Sequence, residues 1–192
     1  MHTNRLAALL VTAILAVPAA ARAQMHRDMD RPQPTEGTMF GVGAGLTLPM
    51  GNYSTADKLG FHGMGLVQFP LHHTPIHLRA DVMFSTTSHK NNVSGSTHAI
   101  GGTFNALYHL GEPSMSVRPY ILGGLGLFNV GGSYNGVSGS NTNIALDFGA
   151  GILFGIGAST HAFVEGRYMD VMTCGGSTAF IPITFGLMFG SK

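Results

Sequence analysis

Ile76-His77-Leu78-Arg79-Ala80-Asp81-Val82-Met83-Phe84-Ser85 changes character at every residue. In an extended chain Ile76, Leu78, Ala80, Val82 and Phe84 share one face, and His77, Arg79, Asp81, Met83 and Ser85 share the other. A period of two belongs to a β-strand whose faces meet different surroundings. The same alternation recurs on both sides of this stretch. Phe40, Val42, Ala44, Leu46 and Leu48 oppose Gly41, Gly43, Gly45 and Thr47, and Phe61, Gly63, Gly65, Val67 and Phe69 oppose His62, Met64, Leu66 and Gln68. Further along, Ile100, Gly102, Phe104, Ala106, Tyr108 and Leu110 oppose Gly101, Thr103, Asn105 and His109. Ile144, Leu146, Phe148, Ala150, Ile152 and Phe154 oppose Asn143, Ala145, Asp147, Gly149 and Gly151. Ile181, Ile183, Phe185, Leu187 and Phe189 oppose Pro182, Thr184, Gly186 and Met188. A seventh segment, 161–170, sets Val164 and Tyr168 against Glu165 and Arg167, with Phe163 on the charged side. The remaining segment, 118–130, fifth in chain order, is too rich in glycine for its facing to be read.

Each segment is about ten residues, the length a tilted strand needs to cross a bilayer. In a soluble sandwich the polar face would meet water and the bulky face a core, but glycine would make that water-facing surface thin and unshielded. A soluble barrel of lipocalin type would turn polar side chains outward, which these bulky faces do not. In a membrane barrel the bulky face meets lipid and the small or polar face fills a narrow lumen. Closure also pairs every backbone N–H and C=O, as lipid demands. The connections agree. They are long after odd segments (49–60, 86–98, 131–142 and 171–179) and short after even ones (70–75, 111–116 and 157–160). Short periplasmic turns and long outer loops give that asymmetry, with both termini periplasmic. The expected fold is all-β, an eight-stranded antiparallel up-and-down transmembrane β-barrel.

Composition narrows the function classes. Of 192 residues 28 are Gly, 10% are charged, and the formal net charge is +1, against about 7% Gly and about 25% charged in an average soluble domain. With 44% hydrophobic residues the chain is not of disordered type. Without a basic run it is not expected to bind nucleic acid. A single cysteine, Cys174, excludes an intrachain disulfide framework and a Cys-rich zinc site.

The first 24 residues, MHTNRLAALLVTAILAVPAAARAQ, have the three parts of an export signal: Arg5, an apolar run over 6–17 closed by Pro18, and the small-residue cleavage site Ala21-Arg22-Ala23. The apolar run is too short for a transmembrane helix. Cleavage before Gln24 removes Arg5 and Arg22 and leaves the mature chain at −1. The expected organisation is a signal peptide at 1–23, a flexible periplasmic leader at 24–37 and the barrel at 38–190.

Arg118-Pro119-Tyr120 running into Gly123-Gly124-Leu125-Gly126, then Glu165-Gly166-Arg167-Tyr168, then a last strand ending on Phe189, together resemble the small outer-membrane β-barrel family of OmpA-type and OmpX-type eight-stranded domains. The resemblance covers residues 38–189. In that family the last strand closes on an aromatic residue preceded by apolar residues at every second position, as Ile181, Ile183, Phe185, Leu187 and Phe189 do here, although Gly190, Ser191 and Lys192 follow. The resemblance implies the outer membrane, lipid as the surroundings, delivery by the barrel-assembly machinery, and a monomer. It implies no particular activity, because a fold does not fix a function.

Arg79, Asp81, Asp147, Glu165 and Arg167 fall on the inner faces. An eight-stranded lumen is about wide enough to be filled by side chains, and buried charges must be paired. The five are therefore expected to form a structural ionic network that plugs the lumen. The segments holding Arg79/Asp81 and Glu165/Arg167 face each other across the axis at similar height, so Arg79 should meet Glu165 and Arg167 should meet Asp81, with Asp147 able to intercept either arginine. No catalytic residues, cofactor or metal are expected. His72, His73 and His77 share one short turn without evident convergence. Ser96/His98 and Ser159/His161 lack a nearby acid or lie on the wrong side for lipid hydrolysis. Gly41-Val42-Gly43-Ala44-Gly45 has no helix after it and is no dinucleotide fingerprint. Two functions then compete. One is a structural or surface-interaction barrel working through its outer loops, its ligand unnamed. The other is a small porin-like transport barrel, for which inward Gly41, Gly43, Gly45, Gly149 and Gly151 would leave room for water.

Overall fold

The computed structural model describes residues 37–190 apart from 52, 72–73, 91–94, 113, 135–136 and 174–175. The expected signal peptide, all but the last residue of the leader, His72, His73 and Cys174 lie outside the described residues. The strands are β1 (Met39–Pro49), β2 (Gly60–Pro70), β3 (Ile76–Ser88), β4 (Gly95–His109), β5 (Val117–Tyr134), β6 (Val137–Gly155), β7 (Thr160–Thr173) and β8 (Gly176–Gly190). Each pairs antiparallel with its neighbours in sequence, and β1 pairs with β8 from Met39↔Gly190 to Pro49↔Phe180, so the sheet closes. Closure removes both edges, whose unpaired N–H and C=O groups would otherwise face hydrocarbon. One ladder lapses. Pro182 has no N–H to give, and β7–β8 pairing breaks off between Gly166↔Ile183 and Met169↔Phe180, resuming in the same register.

The alternation read from the sequence sets the facing. On β3, His77, Arg79, Asp81, Met83 and Ser85 are buried, while Val82 and Phe84 are exposed on the outer wall. Phe40, Phe104, Leu125, Phe148 and Phe185 continue that exposed apolar surface around the barrel. On a water-soluble monomer so continuous an apolar belt would be anomalous, whereas against lipid it is what inserts the barrel. The facing of residues 118–130 is also resolved. Arg118, Tyr120, Leu122 and Phe128 are buried in the lumen, and Ile121, Leu125 and Leu127 are exposed on the wall. Phe163, read on the charged side of its segment, is indeed there. It is 1% exposed and points inward with Glu165 and Arg167.

Two expectations are corrected. The strands run well into the stretches read as outer connections. β5 and β6 stay paired from Asn129↔Thr142 to Tyr134↔Val137, and β3, β4, β7 and β8 also extend beyond their apolar cores. There the outer face has left hydrocarbon, so the hydrophobic alternation fades while the backbone ladder continues. The inward glycines, for their part, do not hold space for water. A Cβ on Gly43 would press on the rim of the Phe163 ring, one on Gly186 would overlap that ring, and one on Gly151 would overlap Tyr120. Glycine on one strand is the recess that takes an aromatic ring from another.

The two-faced wall makes a depth-dependent prediction. Val82→Arg, at the middle of β3, should cost about 2–4 kcal/mol of stability, and Thr86→Arg, outward but nearer the loop end, about 0–1 kcal/mol. Urea unfolding in lipid vesicles measures both. Equal costs would mean that the wall does not lie in hydrocarbon as described.

Candidate functional site

The lumen is organised in tiers, built by residues that strand alternation turns inward at matching heights. At its middle, β3 contributes Arg79 and Asp81, β6 contributes Asp147, and β7 contributes Glu165 and Arg167. All five are at most 5% exposed. Arg79 Nη2 lies 2.8 Å from Glu165 Oε2 and its Nε lies 3.0 Å from Asp81 Oδ1. Arg167 donates to Glu165 Oε1 through Nε at 2.5 Å, and through Nη1 to Asp81 Oδ2 at 2.9 Å and Asp147 Oδ2 at 3.2 Å. The structure thus brings together all five residues singled out in the sequence, with Arg79 on Glu165 and Arg167 on Asp81 across the axis. Sequence reading missed their neutral partners. Tyr120 Oη donates to Glu165 Oε2 at 2.7 Å. Asn105 Nδ2 and Thr103 Oγ1 donate to Asp81 Oδ2 at 2.8 and 3.2 Å. On β4 the signal was readable, since Thr103 and Asn105 fall on the inner face, whereas on β5 the facing of Tyr120 was not. Three carboxylates against two guanidiniums need such donors, because a buried carboxylate oxygen without one is costly.

Towards the long-loop end, Thr47 Oγ1 lies 3.1 Å from His62 Nδ1 and 3.0 Å from Ser85 Oγ, and His62 Nε2 lies 2.8 Å from Thr184 Oγ1. Above this tier Phe128 and Phe180 meet edge to face, and Tyr53 packs in the same way on Phe180. Tyr53 comes from α1 (Tyr53–Ala56), a single turn in the β1–β2 connection. A chain of polar contacts fixes that connection to the barrel rim. Tyr53 Oη donates to Thr87 Oγ1 at 2.7 Å, and Thr87 Oγ1 donates to Asp57 Oδ1 at 2.8 Å. His89 Nδ1 is 3.2 Å from the same carboxylate oxygen. Burial pushes the Tyr53 phenol up to about 12, the Asp57 charge adding to the rise and the hydrogen bond to Thr87 opposing it.

Towards the short-turn end, Gln68, His77 and His109 project inward from β2, β3 and β4. Gln68 Nε2 lies 3.1 Å from His77 Nδ1 and 3.3 Å from His109 Nε2. The His109 ring lies 5.5 Å from that of Tyr120, which joins this tier to the ionic one. Among the described residues no three His, Cys, Asp or Glu side chains are grouped to hold a metal ion. Ser96 Oγ and His98 Nε2 are 2.9 Å apart on the outer wall above Ile100, with His98 exposed and Ser96 partly so. Ser159 and His161 sit where the short β6–β7 connection enters β7.

Residues 7–189 match the family model described as outer membrane protein beta-barrel domain. No curated protein matches the sequence. Among solved structures the chain is similar to Neisserial surface protein A, with 15% identity and a TM-score of 0.65 over 81% of this chain and 97% of that one. It is also similar to a major outer membrane protein of Thermus thermophilus (12%, 0.55, covering 80% and 99%) and to Ail, the attachment invasion locus protein of Yersinia pestis (16%, 0.54, covering 81% and 100%). At these identities the likeness is one of fold.

The middle tier and the cap can each be tested. Arg167→Ala leaves carboxylates unpaired in a narrow interior and should cost about 3–5 kcal/mol, and combining it with Asp81→Ala should cost less than the two single changes added together. Urea unfolding in lipid vesicles gives the cycle, and strictly additive costs would mean that the pair carries no coupling. At the cap, Tyr53 holds its proton more tightly folded (about 12) than unfolded (10.0). Its contribution is therefore complete below pH 10 and is lost as pH rises through 12. Ultraviolet titration of wild type against Tyr53→Phe should show one tyrosine ionising late, and its ionisation at the ordinary pH would remove the buried cap.

Proposed function

The chain belongs to the outer membrane protein β-barrel domain family and lies in the outer membrane, and from that premise we propose that it works through the surface it shows outside the cell, with a lumen that is plugged. The observation that carries this reading is the middle tier. Arg79 is 0% exposed and Glu165 1%, and the two join across the axis of the barrel. Supporting it, Phe163 and Tyr120 fill the space beside Gly43 and Gly151, two of the inward glycines that would favour a water path, and Tyr53, Phe180 and Phe128 pack edge to face above. What remains to meet a partner is the loop end. There the β5–β6 hairpin extends past the apolar belt with exposed Ser140, Asn141 and Thr142, and connecting segments carry specificity on a rigid scaffold. In this reading the protein is a binding surface and not an enzyme, and the Ser96 Oγ–His98 Nε2 pair is a local contact of two outward side chains on β4. One structure of Ail is of its complex with the heparin analogue sucrose octasulfate, which makes that compound a reasonable first probe of the loop end here.

Single-channel recording in planar bilayers tests the reading. Wild type should give no steady conductance, and Arg167→Ala combined with Asp81→Ala should give brief openings as the middle tier loosens. Stable conductance steps from the wild-type barrel would establish a transport role instead.

A further inference from the structure

We propose that Gln68, His77 and His109 form a binding site for a divalent first-row transition-metal ion of the zinc, nickel or copper(II) class, at the short-turn mouth of the lumen. The three side chains come from consecutive strands and are 2%, 5% and 4% exposed. Register explains how they meet. His77 pairs with Leu107, so His109 lies on its diagonal, and Gln68 is two residues before Pro70, the pairing partner of His77. The two imidazole rings are 4.5 Å apart and inclined at 70°.

One atom reveals the geometry. Gln68 Nε2 is 3.1 Å from His77 Nδ1 and 3.3 Å from His109 Nε2. His77 Nδ1 and His109 Nε2 thus both lie within hydrogen-bond reach of one point, the end of the Gln68 amide. That is the convergence of imidazole nitrogens that a metal ion needs. An ion at that point requires nitrogens at about 2.0–2.1 Å, so each ring has to move inward by about 1 Å. An ion there displaces the Gln68 amide, which has to draw back by about 2 Å and turn its Oε1 toward the ion as third ligand, and water from the mouth can complete a tetrahedron.

The donor set defines the ion. It has no thiolate to select a soft monovalent ion and no carboxylate to select calcium or magnesium, whereas imidazole suits zinc, nickel and copper(II). The surrounding charges set the strength. Arg118 is buried on β5 near this end and opposes a dication, while the middle tier beyond Tyr120 holds three carboxylates against two guanidiniums. The expected site is thus moderate in affinity, with an open position, and not a closed structural zinc centre. Sequence reading looked for ligands in His72, His73 and His77, which are close along the chain. The partner of His77 lies one strand away.

The test is calorimetric titration of the folded mature protein in detergent with ZnCl₂, together with electron paramagnetic resonance of the copper(II)-loaded protein. We expect one saturable zinc equivalent, weakened about a hundredfold by His77→Gln or His109→Gln, tightened by Gln68→Glu, and unchanged when His72, His73 and His26 of the expected leader are all replaced by Ala. Copper(II) should show two coordinating nitrogens in wild type and one in His109→Gln. Absence of saturable binding, or binding that survives both single His variants and disappears in the triple-Ala protein, would overturn the proposal. If the His variants fail to show the heat-modifiable gel shift of a folded barrel, the wild-type copper spectrum and Gln68→Glu decide. A spectrum without two nitrogens, or no tightening, would also overturn it.

Discussion

Hydrocarbon offers no partner to a peptide N–H or C=O, and every other feature of this molecule follows from that. Each unsatisfied group would cost several kcal/mol, so strands of this length can enter a bilayer only as a closed sheet. Pairing of β1 with β8 along 11 residue pairs supplies the closure. Once the sheet closes, alternation does the rest. One residue in two must satisfy lipid and the next must fit inside a cylinder of eight strands, whose interior is about as wide as the side chains that fill it.

That narrow interior explains the composition. Bulky inward residues on every strand would not fit, and small ones everywhere would leave holes. The chain sets glycine beside aromatic, Gly43 and Gly186 around Phe163 and Gly151 under Tyr120, so that the wall is recessed where a ring needs room. Charge obeys the same limit. Arg79 and Arg167 are shared among Asp81, Asp147 and Glu165, and Tyr120, Asn105 and Thr103 add neutral donors to those carboxylates. Removing one member leaves a buried charge whose cost the rest cannot absorb. The polar groups above and below are hydrogen-bonded to one another, and the densest cluster of charge sits in the middle layer.

The fold was legible because lipid on one side and a packed lumen on the other force a strict period of two, as in residues 76–85. The inner position of all five charged residues was legible for the same reason. Elsewhere the period carried no information. Residues 129–142 are mostly polar residues and glycine, without the apolar alternation that lipid imposes, so a paired hairpin there looks like loop. Residues 118–130 carry both bulky apolar residues and glycine on each face, so only burial, as of Tyr120 and Phe128, reveals which side is inner. Contacts set by cross-strand register, such as Gln68 with His77 and His109, or Tyr120 with Glu165, depend on how neighbouring strands slide past one another, and single-strand patterning does not encode that.

The central claim is that the lumen is a dry, filled core. Ala145 tests it at one point, since it faces inward on β6 beside Asp147 and is 0% exposed. A cysteine at that position, in a Cys174→Ser background, should resist a small charged thiol reagent in the folded barrel and react at once after unfolding in urea. Rapid labelling of the folded protein from either side of the membrane would mean that water passes the ionic tier, and would contradict the account.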